Sequence, residues 1–138
     1  MDFQLNEEQR LFRDSVAKWA RDTLEEGSLK RAQAPAFPFD VAQKAAGNGL
    51  LGITIPEADG GQGGSLMDAV IAIEQVALAC PKSADVIQAG NFGPIRTFAE
   101  YATPDQKERF LTNQLLTRAT IASHPPNPDP RVITKNDA

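Results

Sequence analysis

Few residues in this chain have the type and spacing that chemistry needs. The single histidine, His124, stands in the run His124-Pro125-Pro126-Asn127-Pro128-Asp129-Pro130. A Ser-His-Asp triad needs a histidine held in place, and a proline-rich stretch does not hold one. With no second histidine, the usual zinc sets are excluded and no metal ligand is expected. The single cysteine, Cys80, follows Leu78 and Ala79 at an expected helix end. Its only basic neighbour in sequence is Lys82, so a buried structural thiol is expected, not a nucleophile. Gly60-Gly61-Gln62-Gly63-Gly64 resembles a phosphate loop only superficially. It lacks the Lys-Ser/Thr of a P-loop, and Leu66 occupies the place of the third glycine of a dinucleotide fingerprint. The amides before Ser65 could meet an anion at a helix start, but a plain turn is the expected role of these glycines. No residue qualifies as catalytic.

The elements that would position any site are helices. Asn6-Glu7-Glu8-Gln9 has the capping-box pattern. Phe12, Val16, Trp19, Ala20 and Leu24 then follow at a helical period, with Gly27 as the stop. Pro35 and Pro38 mark a loop from which Phe37 and Phe39 are expected to enter the core. Asp40-Val41-Ala42-Gln43 is read as a second capped start of a short helix ending at Gly47 or Gly49. Gly49-Leu50-Leu51-Gly52-Ile53-Thr54-Ile55-Pro56 comes next. It is too rich in glycine for a helix interior, and Pro56 lacks the N–H that a strand needs. Leu50, Leu51, Ile53 and Ile55 are expected to be buried between layers of helix, with Gly60–Gly64 facing solvent. Ser65 caps a third helix whose stripes Leu66, Val70, Ile73, Ala77 and Met67, Ile71, Leu78 cover over half its surface, so a central position is expected. Pro81 ends it. An apolar segment, Ser83 to Phe92, is interrupted at Gly90 and Gly93-Pro94. Thr103-Pro104-Asp105-Gln106 is the clearest helix start, with Phe110, Leu111 and Leu115 on its buried side and Lys107, Glu108 and Arg109 facing water.

Composition narrows the function. The chain has 138 residues, 41% hydrophobic and 23% charged, which suits one globular domain with its own core. A net charge of −4 and a pI near 4.9 argue against a nucleic-acid partner. There is no run apolar enough to span a membrane. The acidic start lacks a signal-peptide pattern, and one cysteine allows no internal disulfide, so a cytoplasmic location is expected.

Several runs together resemble a known family. Gly49-Leu50-Leu51-Gly52-Ile53-Thr54-Ile55-Pro56-Glu57 followed by Gly60-Gly61-Gln62-Gly63 is similar to the signature of the acyl-CoA dehydrogenase N-terminal domain. Ile71-Ala72-Ile73-Glu74-Gln75-Val76-Ala77 is similar to its central helix. Gly93-Pro94-Ile95 and then Ala102-Thr103-Pro104-Asp105-Gln106-Lys107-Glu108-Arg109-Phe110-Leu111 resemble its next run, and Leu5-Asn6-Glu7-Glu8-Gln9 fits its start. The resemblance covers residues 1 to about 122, in order and at the right spacing.

It implies an all-α fold, a five- to six-helix orthogonal bundle over residues 1–122, with a proline-rich extension over 123–138. It also implies a flavoprotein lineage that uses FAD to remove a proton and a hydride from the α and β carbons of an acyl-CoA thioester. Family members add a middle β domain and a C-terminal helical bundle, which carry most flavin contacts and the catalytic glutamate, and they are usually tetramers. The N-terminal domain supplies one wall of the acyl pocket, implied here at Val86, Ile87, Ala89, Asn91, Phe92 and Ile95. The family enters its middle domain through Thr-Glu-Pro and then Gly-Ser-Asp, which approaches the flavin. This chain has Ser123-His124-Pro125-Pro126-Asn127-Pro128-Asp129 instead. Ser123, Pro125 and Asp129 agree in kind, which leaves Ser123 as the implied cofactor-binding position, and His124 replaces the acid. The chain alone is therefore expected neither to hold FAD nor to turn over. Its expected partners are the acyl-CoA and the missing domains or a partner subunit, in an oligomeric full-length form. The alternative is a non-catalytic helical interaction module, or one subunit of a split or mixed-subunit complex.

Overall fold

Three capping boxes set where three of the helices begin, two of them 14 residues long. The computed structural model describes residues 4–112. Helix α1 spans Glu7–Ala20, with Asn6 Oδ1 accepting from Gln9 N at 2.8 Å and Gln9 Oε1 accepting from Asn6 N at 3.1 Å. Helix α4, Leu66–Ala79, is closed by the Ser65–Asp68 pair, and helix α7, Pro104–Lys107, by the Thr103–Gln106 pair. Each box satisfies two backbone donors that a bare helix start leaves unpaired. Between them lie α2 (Ser28–Gln33), α3 (Phe39–Gly47), α5 (Pro81–Ala89) and α6 (Pro94–Tyr101). A 3₁₀ turn covers Glu57–Asp59, and π turns follow α1 (Arg21–Glu25) and α7 (Glu108–Thr112). There is no strand among the described residues, and no helix among them is long and apolar enough to cross a membrane. The fold is all-α, a helical bundle. The extension from residue 123, with Ser123, His124 and the proline run, lies outside the described residues, as does Leu115.

The core is a layer between α1, α4 and α5, and α1 and α5 both pack on α4. Val16, Ala20 and Leu24 from α1 and its π turn are buried, as the stripe predicts, and Phe12 and Trp19 flank them half-buried. The chain does not stop directly at Gly27. It leaves α1 through the π turn, and only then does Gly27, at φ 77°, reverse into α2.

The glycine segment joins this layer at Leu50, Leu51 and Ile53 and passes on to a second, smaller apolar cluster at Ile55. Leu50, Leu51, Ile53 and Ile55 are all buried, as their apolar character requires. Its irregular backbone is paired within itself. Gln62 N donates to Gly52 O at 2.9 Å, Gly63 N to Ile55 O at 2.9 Å and Gly64 N to Ile53 O at 2.7 Å. This doubling-back brings Gly61 against Ile55, where a Cβ on Gly61 would sit 2.1 Å from the Ile55 carbonyl oxygen. Only glycine allows that approach. The loop is less open than its composition implies: Gln62 and Gly63 are exposed, but Gly60, Gly61 and Gly64 are half-buried.

Five further expectations are corrected. In α4 the buried residues are Ala69, Ile71, Ala72 and Val76, while Leu66, Met67, Val70 and Leu78 are 45–79% exposed. Helix axes approach most closely over small side chains, so the face carrying Ala69 and Ala72 turns inward with Ile71 and Val76, although Leu66, Met67, Val70 and Leu78 lie elsewhere on the helix. Asp40 does not cap α3. The helix already includes Phe39, and Asp40 lies in its first turn, past the position from which a side chain can cap. Phe37 and Phe39 pack edge-to-face on each other, with centroids 5.1 Å apart, instead of entering the core, and Phe37 stays 44% exposed. Near the end, Leu111 is buried with Ile55 and Ala99, but Phe110 remains at the edge against Phe98. Lys107 does not face water freely: it is half-buried in an ion pair with Asp59 at 2.9 Å.

Candidate functional site

Asn91 ties the glycine segment to the end of α5. It is fully buried, and its side chain makes three hydrogen bonds. Its Oδ1 accepts from Ile53 N at 2.6 Å, and its Nδ2 donates to Leu50 O and Ile87 O, each at 2.8 Å. Thr54 Oγ1 donates to the Asn91 carbonyl at 2.6 Å. A buried amide with all these groups paired fixes the path of Thr54-Ile55-Pro56 relative to Phe92-Gly93.

Those two stretches and α6 enclose a cleft of about 640 Å³. Its inner surface is Ile55, Ala99 and the half-buried Phe92, and Thr54 and Pro56 form one bank. The other bank is one face of α6, where Gly93, Arg96, Thr97 and Glu100 recur at helical spacing. Gly93, Arg96, Thr97, Glu100 and Pro56 are all exposed, so among the described residues the cleft is walled on the protein side and open on the other. Ligand sites that hold a flavin enclose most of it and place donors around the ring. The described residues of this domain provide an apolar floor and one polar rim, and they do not by themselves enclose such a group.

Of the residues expected at a pocket wall, only Phe92 lines this cleft. Ile95, on α6, is half-buried against Ile55 and Leu111. Val86, Ile87 and Asn91 are buried within the domain, and Ala89 is exposed at the end of α5. Ser123 lies outside the described residues. Arg96, Thr97 and Thr54 were missed from sequence. The available signal was the spacing of Gly93, Arg96, Thr97 and Glu100 after the Gly93-Pro94 helix start.

Cys80 is elsewhere, at the junction where α4 ends and α5 begins, and it is fully buried. Burial pushes its thiol pKa up. Hydrogen bonds from Arg31 (Nε to Sγ 3.4 Å), Ser83 (Oγ to Sγ 3.1 Å) and Ser28 outweigh this and bring it to about 7. Arg31 also donates to the carbonyls of Leu24 and Glu26, so it staples the end of the first helix to this junction. Sequence could not show the pairing, because Arg31 and Cys80 are 49 residues apart. Among the described residues no group of three His, Cys, Asp or Glu side chains could hold a metal ion.

The chain matches the family model described as acyl-CoA dehydrogenase, N-terminal domain, over residues 6–116. It belongs to that family. The helical bundle just described is the fold of an acyl-CoA dehydrogenase N-terminal domain. Among curated relatives it is similar to an acryloyl-CoA reductase (NADH) of Anaerotignum propionicum, 32% identical over 111 residues, covering 80% of this chain and 28% of that protein. It is also similar to the short-chain-specific acyl-CoA dehydrogenase of Clostridium acetobutylicum, 27% identical over 80% of this chain and 29% of that protein. A third relative, a 3-sulfinopropanoyl-CoA desulfinase of Variovorax paradoxus, is 36% identical over 74 residues, 54% of this chain and 18% of that protein. The chain thus spans less than a third of the length of the curated relatives it matches.

Proposed function

We propose that this acyl-CoA dehydrogenase N-terminal domain supplies one wall of a composite acyl-CoA site in an FAD-dependent oxidoreductase, and that it neither holds flavin nor turns over alone. The observation that carries the reading is the one-sided cleft. It has an apolar floor, a polar rim along α6 and a rigid base in the Asn91 network, and the described residues supply no opposite wall. In this reading Phe92 meets the acyl group, Ala89 flanks it, Ile95 backs the floor through Ile55, and Val86, Ile87 and Asn91 support it from behind. The names of the relatives favour a thioester with a small acyl group. The remaining walls, the flavin contacts and the proton-abstracting carboxylate come from other domains or a partner subunit, and the complete protein is an oligomer. Ser123 would approach the flavin from the segment beyond the helices, where a middle domain would follow residue 122. The buried free thiol of Cys80 suits the reducing cytoplasm.

The chemistry sets a distance requirement. Proton abstraction needs a base within hydrogen-bond reach of the carbon acid. The one carboxylate on the cleft, Glu100, is exposed at the rim and has no hydrogen-bond partner among the described residues to orient it. The test is to mix the purified chain with excess FAD, desalt it, record the visible spectrum, and assay acyl-CoA oxidation with an artificial electron acceptor. No retained flavin band and no turnover above the protein-free control are expected. A stoichiometric band, or turnover, would refute the one-wall reading.

A further inference from the structure

The rim of the cleft is electrically asymmetric. Among the described residues on its lining Arg96 is the only cation and Glu100 the only anion, one helical turn further along α6. The two do not pair. The ion pairs among the described residues are Arg13–Asp14, Lys18–Asp22 and Lys107–Asp59, and the Arg96 guanidinium makes no hydrogen bond or ion pair to any described residue. Thr97, beside it, also lines the cleft, and its hydroxyl has only a long 3.5 Å contact to Gly93 O. Thr97 can therefore turn to a ligand at little cost. The space next to Gly93 is open: a Cβ there would meet nothing within 4 Å. An unpaired guanidinium over an apolar floor of Ile55, Ala99 and Phe92 presents its fork of donors where few protein groups compete for it.

We propose that the Gly93–Arg96–Thr97 end of the cleft is an oxyanion subsite, with Arg96 as its specificity-determining residue. It takes a carboxylate-type group at the far end of a short acyl chain, or a phosphate of a nucleotide moiety. The chemistry is the same in both cases: a planar or tetrahedral oxyanion met by guanidinium N–H donors and a hydroxyl. Glu100 confines the anion to the Arg96 end, because a carboxylate placed nearer the middle of the cleft would face like charge. The subsite rests on the composite-site reading only for the identity of the molecule that carries the anion.

The experiment uses the full chain and reads binding, not turnover. Labelled protein is titrated with monomethyl succinate, with ADP, and with uncharged dimethyl succinate, following the amides of Gly93, Arg96 and Thr97 and the Arg96 Nε–H by NMR. At least one anion should shift these signals, more weakly as salt rises, and dimethyl succinate should not. Arg96→Gln should weaken binding by about fivefold, the upper end for an exposed ion pair. Glu100→Gln should strengthen it by about twofold, by removal of one nearby like charge in water. Arg109→Gln, away from the cleft, should change nothing. Tighter binding of monomethyl succinate assigns the anion to the acyl end, and tighter binding of ADP assigns it to a nucleotide. Both Arg96 and Glu100 are exposed, so both variants should fold, which far-UV circular dichroism checks. Equal shifts with dimethyl succinate, unchanged binding in Arg96→Gln, weaker binding in Glu100→Gln, or no shift with either anion would overturn the subsite. None of these results touches the flavin test above, so the two claims fail separately.

Discussion

Replacing Asn91 with alanine should be among the most damaging single changes in this domain. The side chain is 0% exposed and serves three backbone groups: Ile53 N, Leu50 O and Ile87 O. None has a ready substitute. The amide of residue 91, which would normally serve Ile87 O in a continuing helix, already donates to Gln88 O at 3.1 Å. A buried group left without a partner costs about 1–3 kcal/mol. Allowing for partial relaxation and for water entering the gap, three such groups give a loss of about 3–5 kcal/mol. That is a large share of the roughly 5–15 kcal/mol that stabilises a typical domain. Urea unfolding followed by the fluorescence of Trp19, the only tryptophan, would measure it. The Asn91 carbonyl also holds Thr54, so the amides of Thr54 and Ile55 should shift as the cleft bank loosens. A loss under about 1 kcal/mol would refute the reasoning, since it would mean that one orphaned group at most is being felt.

Three other outcomes follow from the same structure. Gly61→Ala should cost about 3 kcal/mol through overpacking against the Ile55 carbonyl, whereas Gly47→Ala, whose Cβ would meet nothing within 4 Å, should be neutral or slightly stabilising in the same urea assay. The Cys80 pKa falls from 9.0 to about 7 on folding, so the thiolate's contribution is complete above pH 9 and is lost as pH falls through 7. The urea midpoint of the wild type should therefore rise between pH 7 and 9 relative to that of Cys80→Ala, and parallel curves would contradict the Arg31–Ser83 environment. Leu78→Lys should change stability by under about 0.5 kcal/mol, while Val76→Ala should cost about 2 kcal/mol. The reverse order would mean that α4 packs by its larger face after all.

Much of the fold was legible because it is written in local signals. Asn6, Ser65 and Thr103 each combine a capping residue with an acid or amide three places on, and each caps as read. Leu50, Leu51, Ile53 and Ile55 are apolar in a stretch that can be neither helix nor strand, so burial between layers was the remaining choice. Most of the failures outside the Phe37–Phe39 loop and the Asp40 cap share a cause, which is that the deciding partner is distant in sequence. Nothing local tells α4 which of its apolar faces will meet α1, and the answer lies in the small size of Ala69 and Ala72. Phe37 and Phe39 had each other as the nearer partner. Arg31 reaches Cys80 across 49 positions. The cleft was the least legible part. Arg96 and Thr97 are exposed polar residues on a short helix, and such residues carry no periodic signal until the Thr54–Pro56 bank is placed opposite them.

The composite-site claim is tested most directly in a chimera. Residues 6–116 of this chain would replace the matching segment of the Clostridium acetobutylicum short-chain-specific enzyme. The chimera would be purified with FAD and mixed anaerobically with a short-chain acyl-CoA while the flavin absorbance is followed. A flavin-loaded protein whose absorbance bleaches on adding substrate is expected, because this domain then supplies the wall that the replaced segment supplied. A folded, flavin-loaded chimera that does not bleach would contradict the claim.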